Sequence, residues 1–108
     1  KRMSRRTTAI AAALSVLALG SPLMTGCANP LATQYLIQGV EKYEVGNYQG
    51  AIADYDKVIE INPKLADAYR MRGVNKELIG DLKGACSDWR KAADFGLTEP
   101  AEWVKKQC

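Results

Sequence analysis

Asp54, Asp56, Asp81 and Asp88 are the residues of this chain best suited to chemistry. A pair of carboxylates can serve a hydrolase, one as general acid and the other as general base. Two features argue against that use. Asp54 and Asp88 recur 34 residues apart in matching local sequence, and a solvated charge at a repeated position needs no catalytic explanation. A nucleophile would also need a base, and Ser21, Ser87 and Thr98 have none to call on, because the chain contains no histidine. The glycines are taken up by turns and helix crossings and form no phosphate-cradling loop. Cys27, Cys86 and Cys108 lack the C-x-x-C spacing of a zinc or redox site. No catalytic residue, metal site or cofactor is expected, and the chain does not read as an enzyme.

The elements that carry these residues repeat. Aligning residues 32–65 with 66–99 gives ten identities, Ala32/Ala66, Tyr35/Tyr69, Gly39/Gly73, Val40/Val74, Lys42/Lys76, Gly46/Gly80, Gly50/Gly84, Ala51/Ala85, Asp54/Asp88 and Lys57/Lys91, where average usage would give roughly two. A fixed period of this length is the mark of a stacked-repeat architecture. Each copy holds a tight turn, Gly46-Asn47 or Gly80-Asp81, between two helix-length segments. Glycine suits the left-handed position after the first helix, and Asn or Asp caps the next. Gly39 and Gly73 fall in mid-helix, where glycine costs up to about 1 kcal/mol against alanine, so a close helix crossing is expected there. Ala51 and Ala85 are small at the matching point, and Tyr55 and Trp89 are expected to fill the groove between units. The pattern predicts helices near 30–45, 48–61, 64–79, 82–95 and 99–107, with Asn62-Pro63 ending one unit and starting the next.

Charge separates the first residues from the rest. The chain has 15 basic and 12 acidic residues, but Lys1, Arg2, Arg5 and Arg6 all precede the first apolar run, leaving 11 basic against 12 acidic beyond it. A domain of that balance has no positive field for nucleic acid, which is not an expected partner. The basic start leads into an eleven-residue apolar stretch, Ala9 to Leu19, and then Gly20-Ser21-Pro22. The stretch is too short for a bilayer core, which needs about 20 residues, and reads as a secretory signal. Met24-Thr25-Gly26-Cys27 resembles the lipobox of bacterial lipoproteins, whose signal peptide is cut before a cysteine that then carries the lipid. The resemblance implies a signal peptide over 1–26, lipidation of Cys27 and a short tether over 27–31. With Ala28 after the cysteine, it also implies sorting to the outer membrane, facing the periplasm. Asn29 can cap a helix that has Pro30 at its first position, which would hold the domain close to the membrane.

Tyr35, Gly39, Gly46, Tyr48, Ala51, Tyr55 and Pro63 in the first copy, with Tyr69, Gly73, Gly80, Ala85 and Trp89 in the second, resemble the tetratricopeptide repeat (TPR) in type and register, over residues 32 to about 96. The resemblance implies an all-α fold: a short right-handed α–α superhelix of two TPR helix pairs, 32–65 and 66–97, closed by a capping helix over 98–108. In that last segment Gly96 stops the fourth helix, Thr98 or Glu99 can cap a fifth and Pro100 suits its first turn. Ala101, Trp103 and Val104 can face inward, and Lys105 and Lys106 favour its C-terminus. If the cap folds back antiparallel, Cys86 and Cys108 each lie about 14 Å from the bend and come level. A Cys86–Cys108 disulfide is then expected in an oxidising envelope, the alternative being a buried Cys86 and a thiol on a frayed tail.

By repeat register the concave face carries Leu36, Val40, Tyr43 and Glu44 from the first unit and Arg70, Val74 and Glu77 from the second. TPR modules that clamp a C-terminal carboxylate place Asn and Lys on this face. Val40 and Val74 stand where Asn would be, which leaves Arg70 as a lone carboxylate candidate. The expected function is that of a membrane-anchored TPR module binding another protein or peptide in the bacterial envelope, as adaptor or assembly factor. The alternatives are an accessory factor or enzyme acting on cell-wall material, and a structural lipoprotein that forms homo-oligomers through Leu31, Tyr35, Leu36 and Ile37 on its uncapped first helix.

Overall fold

Five α-helices follow one another along the described residues, 29–108, of the computed structural model: α1 (Pro30–Glu44), α2 (Tyr48–Ile61), α3 (Ala66–Leu78), α4 (Leu82–Asp94) and α5 (Thr98–Gln107). Residues 31–108 make one unit, and no strand occurs among the described residues. The expected signal peptide and lipobox, with Cys27, lie outside the described residues.

Local chemistry sets the helix ends, and the two copies use the same device. Gly46 and Gly80 take φ of +81° and +91°, the left-handed region that costs glycine nothing. Their N–H groups donate to Tyr43 and Glu77 carbonyls at 3.0 and 2.9 Å, and the following Asn47 and Asp81 N–H groups reach back to Lys42 and Lys76 carbonyls, both at 2.8 Å. These are the paired bonds of a Schellman stop. Asn47 and Asp81 then cap the next helix, their Oδ1 atoms accepting from Gly50 and Gly84 N–H groups at 3.0 and 2.9 Å. Gly96, at φ +110°, ends α4 in the same way.

The junction between units departs from expectation. Pro63 does not open α3, which begins at Ala66 behind an N-cap Leu65 that makes no side-chain bond. Asn62 is the reason: its Oδ1 accepts from Lys64 N–H at 3.4 Å and its carbonyl from Leu65 N–H at 3.2 Å, so residues 63–65 are spent on a turn. The Pro63 carbonyl is in turn held by the Tyr69 hydroxyl at 2.8 Å. Leu97, likewise without a side-chain bond, takes the N-cap place expected of Thr98 or Glu99.

Successive helices pack on one another, α2 on α3, α3 on α4 and α4 on α5. Within each hairpin an aromatic ring of the second helix lies across a glycine of the first. A Cβ on Gly39 would sit 2.8 Å from Tyr55 Cζ, and one on Gly73 would sit 2.5 Å from Trp89 Nε1 and 3.2 Å from the Ala85 carbonyl oxygen. The crossing expected at these glycines is there. The rings also reach the element beyond their own hairpin, Tyr55 coming under the influence of Arg70 of α3 and Trp89 meeting Trp103 of α5. The junction of units is filled as well by Ala32, Val58 and Ala68, with Tyr35, Leu36, Ile59, Ile61 and Leu65 packed around them.

The last helix is held by two contacts. Trp89 and Trp103 meet edge to face at 5.2 Å. The Cys86–Cys108 disulfide joins α4 to the end of α5, the Cα atoms 6.0 Å apart. Pro100 is buried in the first turn of α5, where its missing N–H needs no partner.

Candidate partner-binding site

α1 and α3 occupy equivalent places in the two copies, so Leu36 matches Arg70, Val40 matches Val74 and Tyr43 matches Glu77. Leu36 packs against the Ala32–Val58–Ala68 core, and that part of the face is used for stability. Val40 and Glu44 are exposed, while Tyr43, Arg70, Val74 and Glu77 are half-buried. The Tyr43 ring rests against Tyr48 at 6.0 Å. Arg70 Nε donates to Asp67 Oδ1 at 3.2 Å, one helical turn earlier, which leaves the other guanidinium N–H groups to a ligand.

Two of these residues converge on a group that the sequence presents only as a packing ring. Tyr55 is 0 % exposed, yet its hydroxyl has no hydrogen-bond partner among the described residues. Its pKa is pushed up to about 12, chiefly by burial. The Arg70 charge pulls it the other way, and Asp54 and Tyr43 push it further up. Tyr43 of α1 and Arg70 of α3 therefore both act on one buried, neutral hydroxyl of α2. The arrangement offers hydrogen-bond donors, one cation and the aliphatic Val40 and Val74, which suits a peptide segment carrying an acidic group.

The carboxylates are placed otherwise than expected. Asp54 and Asp88 are 6 % and 3 % exposed, not solvated. They are buried because each is paired: Lys42 Nζ lies 2.9 Å from Asp54 Oδ2, in contact but without the alignment of a hydrogen bond, and Lys76 Nζ lies 3.0 Å from Asp88 Oδ2. Asp88 also takes a bidentate grip from Arg72, whose Nε and Nη2 donate at 2.8 and 2.7 Å, while Nη1 donates to Asp56 at 2.8 Å. The hydrogen bond to Asp88 is the main force holding the Arg72 pKa above its usual range; burial opposes it and Asp56 adds to it. Arg72 thus ties α2, α3 and α4 together. Its two partners each lie 16 residues away, a symmetry visible in sequence, and the matching position of the first copy is Gln38. Asp54, Asp56 and Asp88 are thus all engaged as ion-pair partners.

Among the described residues no group of three or more His, Cys, Asp or Glu is arranged to hold a metal ion, and no helix is long and apolar enough to cross a membrane. No curated protein matches the chain. The family model described as TPR repeat matches residues 39–76, from Gly39 of α1 through α2 to Lys76 of α3. The match spans the residues that build the Tyr55 neighbourhood, and a repeat of this kind implies a protein partner.

Proposed function

We propose that the chain is a membrane-anchored TPR module that binds another protein or peptide in the bacterial envelope, as an adaptor or assembly factor, and does no catalysis of its own. The observation that carries the binding reading is the match to the TPR repeat over residues 39–76, which includes Val40, Tyr43, Arg70 and Val74. A ligand carboxylate would take the free guanidinium N–H groups of Arg70, and its apolar neighbours would lie on Val40 and Val74. Anchoring rests on the Met24-Thr25-Gly26-Cys27 resemblance, and the Cys86–Cys108 bridge supports an oxidising compartment such as the periplasm.

Affinity capture from detergent-solubilised membranes, run side by side with Arg70→Ala and Tyr43→Ala, tests the binding. A protein that co-purifies with the wild type and is lost from both variants supports the reading; capture unchanged in both would defeat it. Intact mass of the mature chain, compared with a Cys27→Ala chain, tests the anchor. A mass without added acyl groups would remove it.

A further inference from the structure

We infer that the open groove between α4 and α5 receives α1 of a second copy, so that the chain associates head to tail. Two adjoining clefts of about 340 and 440 Å³ run between these helices and share Arg90. Leu82, Cys86 and Cys108 give an apolar floor toward one end and Ala93, Ala101 and Val104 toward the other. The rim is basic. Lys83 and Arg90 are exposed and make no ion pair among the described residues, and Lys105 pairs only with Glu102 of its own helix at 3.4 Å. Asp94 also lines the groove, and Glu102 stands beside Lys105.

The complement lies at the other end of the molecule. Gln34, Ile37, Glu41 and Glu44 of α1 are spaced three or four residues apart, so they form one stripe of the helix, and all are exposed, Ile37 by 53 %. The stripe joins an apolar side chain to two acids that make no ion pair among the described residues. An amphipathic helix of that character fits an apolar groove with a basic rim. The two acids of the stripe would face Lys83 and Arg90, the two rim cations without an ion pair among the described residues. Because the two surfaces differ and lie at opposite ends of the helix series, the contact is heterologous and adds copies in sequence rather than closing a symmetric pair.

Sedimentation velocity of the full chain in a density-matched non-ionic detergent tests this, with Ile37→Lys/Glu41→Lys (stripe broken) and Lys83→Glu/Arg90→Glu (groove broken) as variants. All four positions are exposed, and far-UV circular dichroism checks that both variants fold. The wild type is expected to exceed twice the chain mass as concentration rises, and to fall back in salt. Each variant alone should stay monomeric. Mixed together, they should associate, since the intact stripe of one variant meets the intact groove of the other. A wild type that is monomeric throughout overturns the inference. So does association that persists in the groove variant, which would place it between α1 stripes, or in both variants alike, which would place it in the apolar run at residues 9–19.

Discussion

At the residue scale, Asp54 and Asp88 share a repeat position but not their electrostatic company. Asp88 has Arg72 and Lys76, both mostly buried, whereas Asp54 has only Lys42, whose side chain is 39 % exposed. Removing one member of a buried pair costs more than the pair was worth, because the partner charge is left in a poor solvent. Asp88→Asn should therefore lose about 3 kcal/mol of stability, and Asp54→Asn about 1 kcal/mol, since water reaches Lys42. Urea unfolding at neutral pH measures both, and equal losses would show that Arg72 contributes nothing. Tyr55 gives a second test. Its folded pKa of about 12 lies above the ordinary tyrosine value of 10, so the fold prefers the protonated phenol. The stability this provides is fully present below pH 10 and is lost as pH rises toward 12. Wild type should lose about 2 kcal/mol relative to Tyr55→Phe over that interval. At pH 7 the Phe variant should be as stable or slightly more so, because it removes an unpartnered hydroxyl. Parallel stability curves for the two proteins from pH 9 to 12 would refute the shift. If the same Phe variant also loses its partner, the hydroxyl is kept for binding at the expense of stability.

At the scale of the element, α5 depends on its attachment to α4 more than on its own ten residues, too few for a helix to persist alone in water. The disulfide closes a separation of 22 residues, worth about 3 kcal/mol on the chain-entropy model. Reduction should lower unfolding stability by about that amount. It should also shift tryptophan emission, since it loosens the helix that holds Trp103 against Trp89. Reduced protein with an unchanged urea midpoint would mean that the tryptophan pair alone secures the cap. This element was legible in sequence because it rests on short-range signals: Gly96 to stop α4, lysines at the end of α5, and two cysteines equidistant from one bend. The Gly46-Asn47 and Gly80-Asp81 turns were legible for the same reason. The start of α3 was not, because it hangs on which backbone groups Asn62 chooses to bond. Nor was the burial of Asp54 and Asp88, which depends on Lys42 and Arg72 reaching across to another helix. On the candidate face, register aligns α1 with α3 and so names Tyr43 and Arg70, but the pull of Leu36 into the core and the orphaned Tyr55 hydroxyl follow from packing between helices that no period encodes.

At the scale of the whole molecule, the stabilising devices are distributed unevenly along the helix series. A solenoid's stability is close to a sum of unit and neighbour terms, so its parts can open separately. α3, α4 and α5 share the Arg72–Asp88–Lys76 network, the Trp89–Trp103 contact, the Tyr69–Phe95 contact at 5.6 Å and the disulfide. α1 and α2 are joined by the Tyr55–Gly39 packing and the Lys42–Asp54 pair, with Ala32 and Val58 reaching α3. The link from α2 to the C-terminal group also runs through the Arg72–Asp56 bond, which is half open to water on the aspartate side. Native-state hydrogen exchange in low urea should therefore show α1 and α2 opening together, at a free energy below that of α3 and α4. Arg72→Met should lower both free energies, since it removes the Asp56 bridge and the grip on Asp88 together, whereas Asp56→Asn should weaken only the bridge and so widen the gap. Exchange that is uniform across all helices, and stays uniform in Asp56→Asn, would show one cooperative unit and defeat the division. Occupation of the Tyr43–Tyr55–Arg70 neighbourhood by a ligand touches α1, α2 and α3 at once, so binding there should raise protection in α1 and α2 more than in α4. The segment that opens most readily is then the one a partner would order.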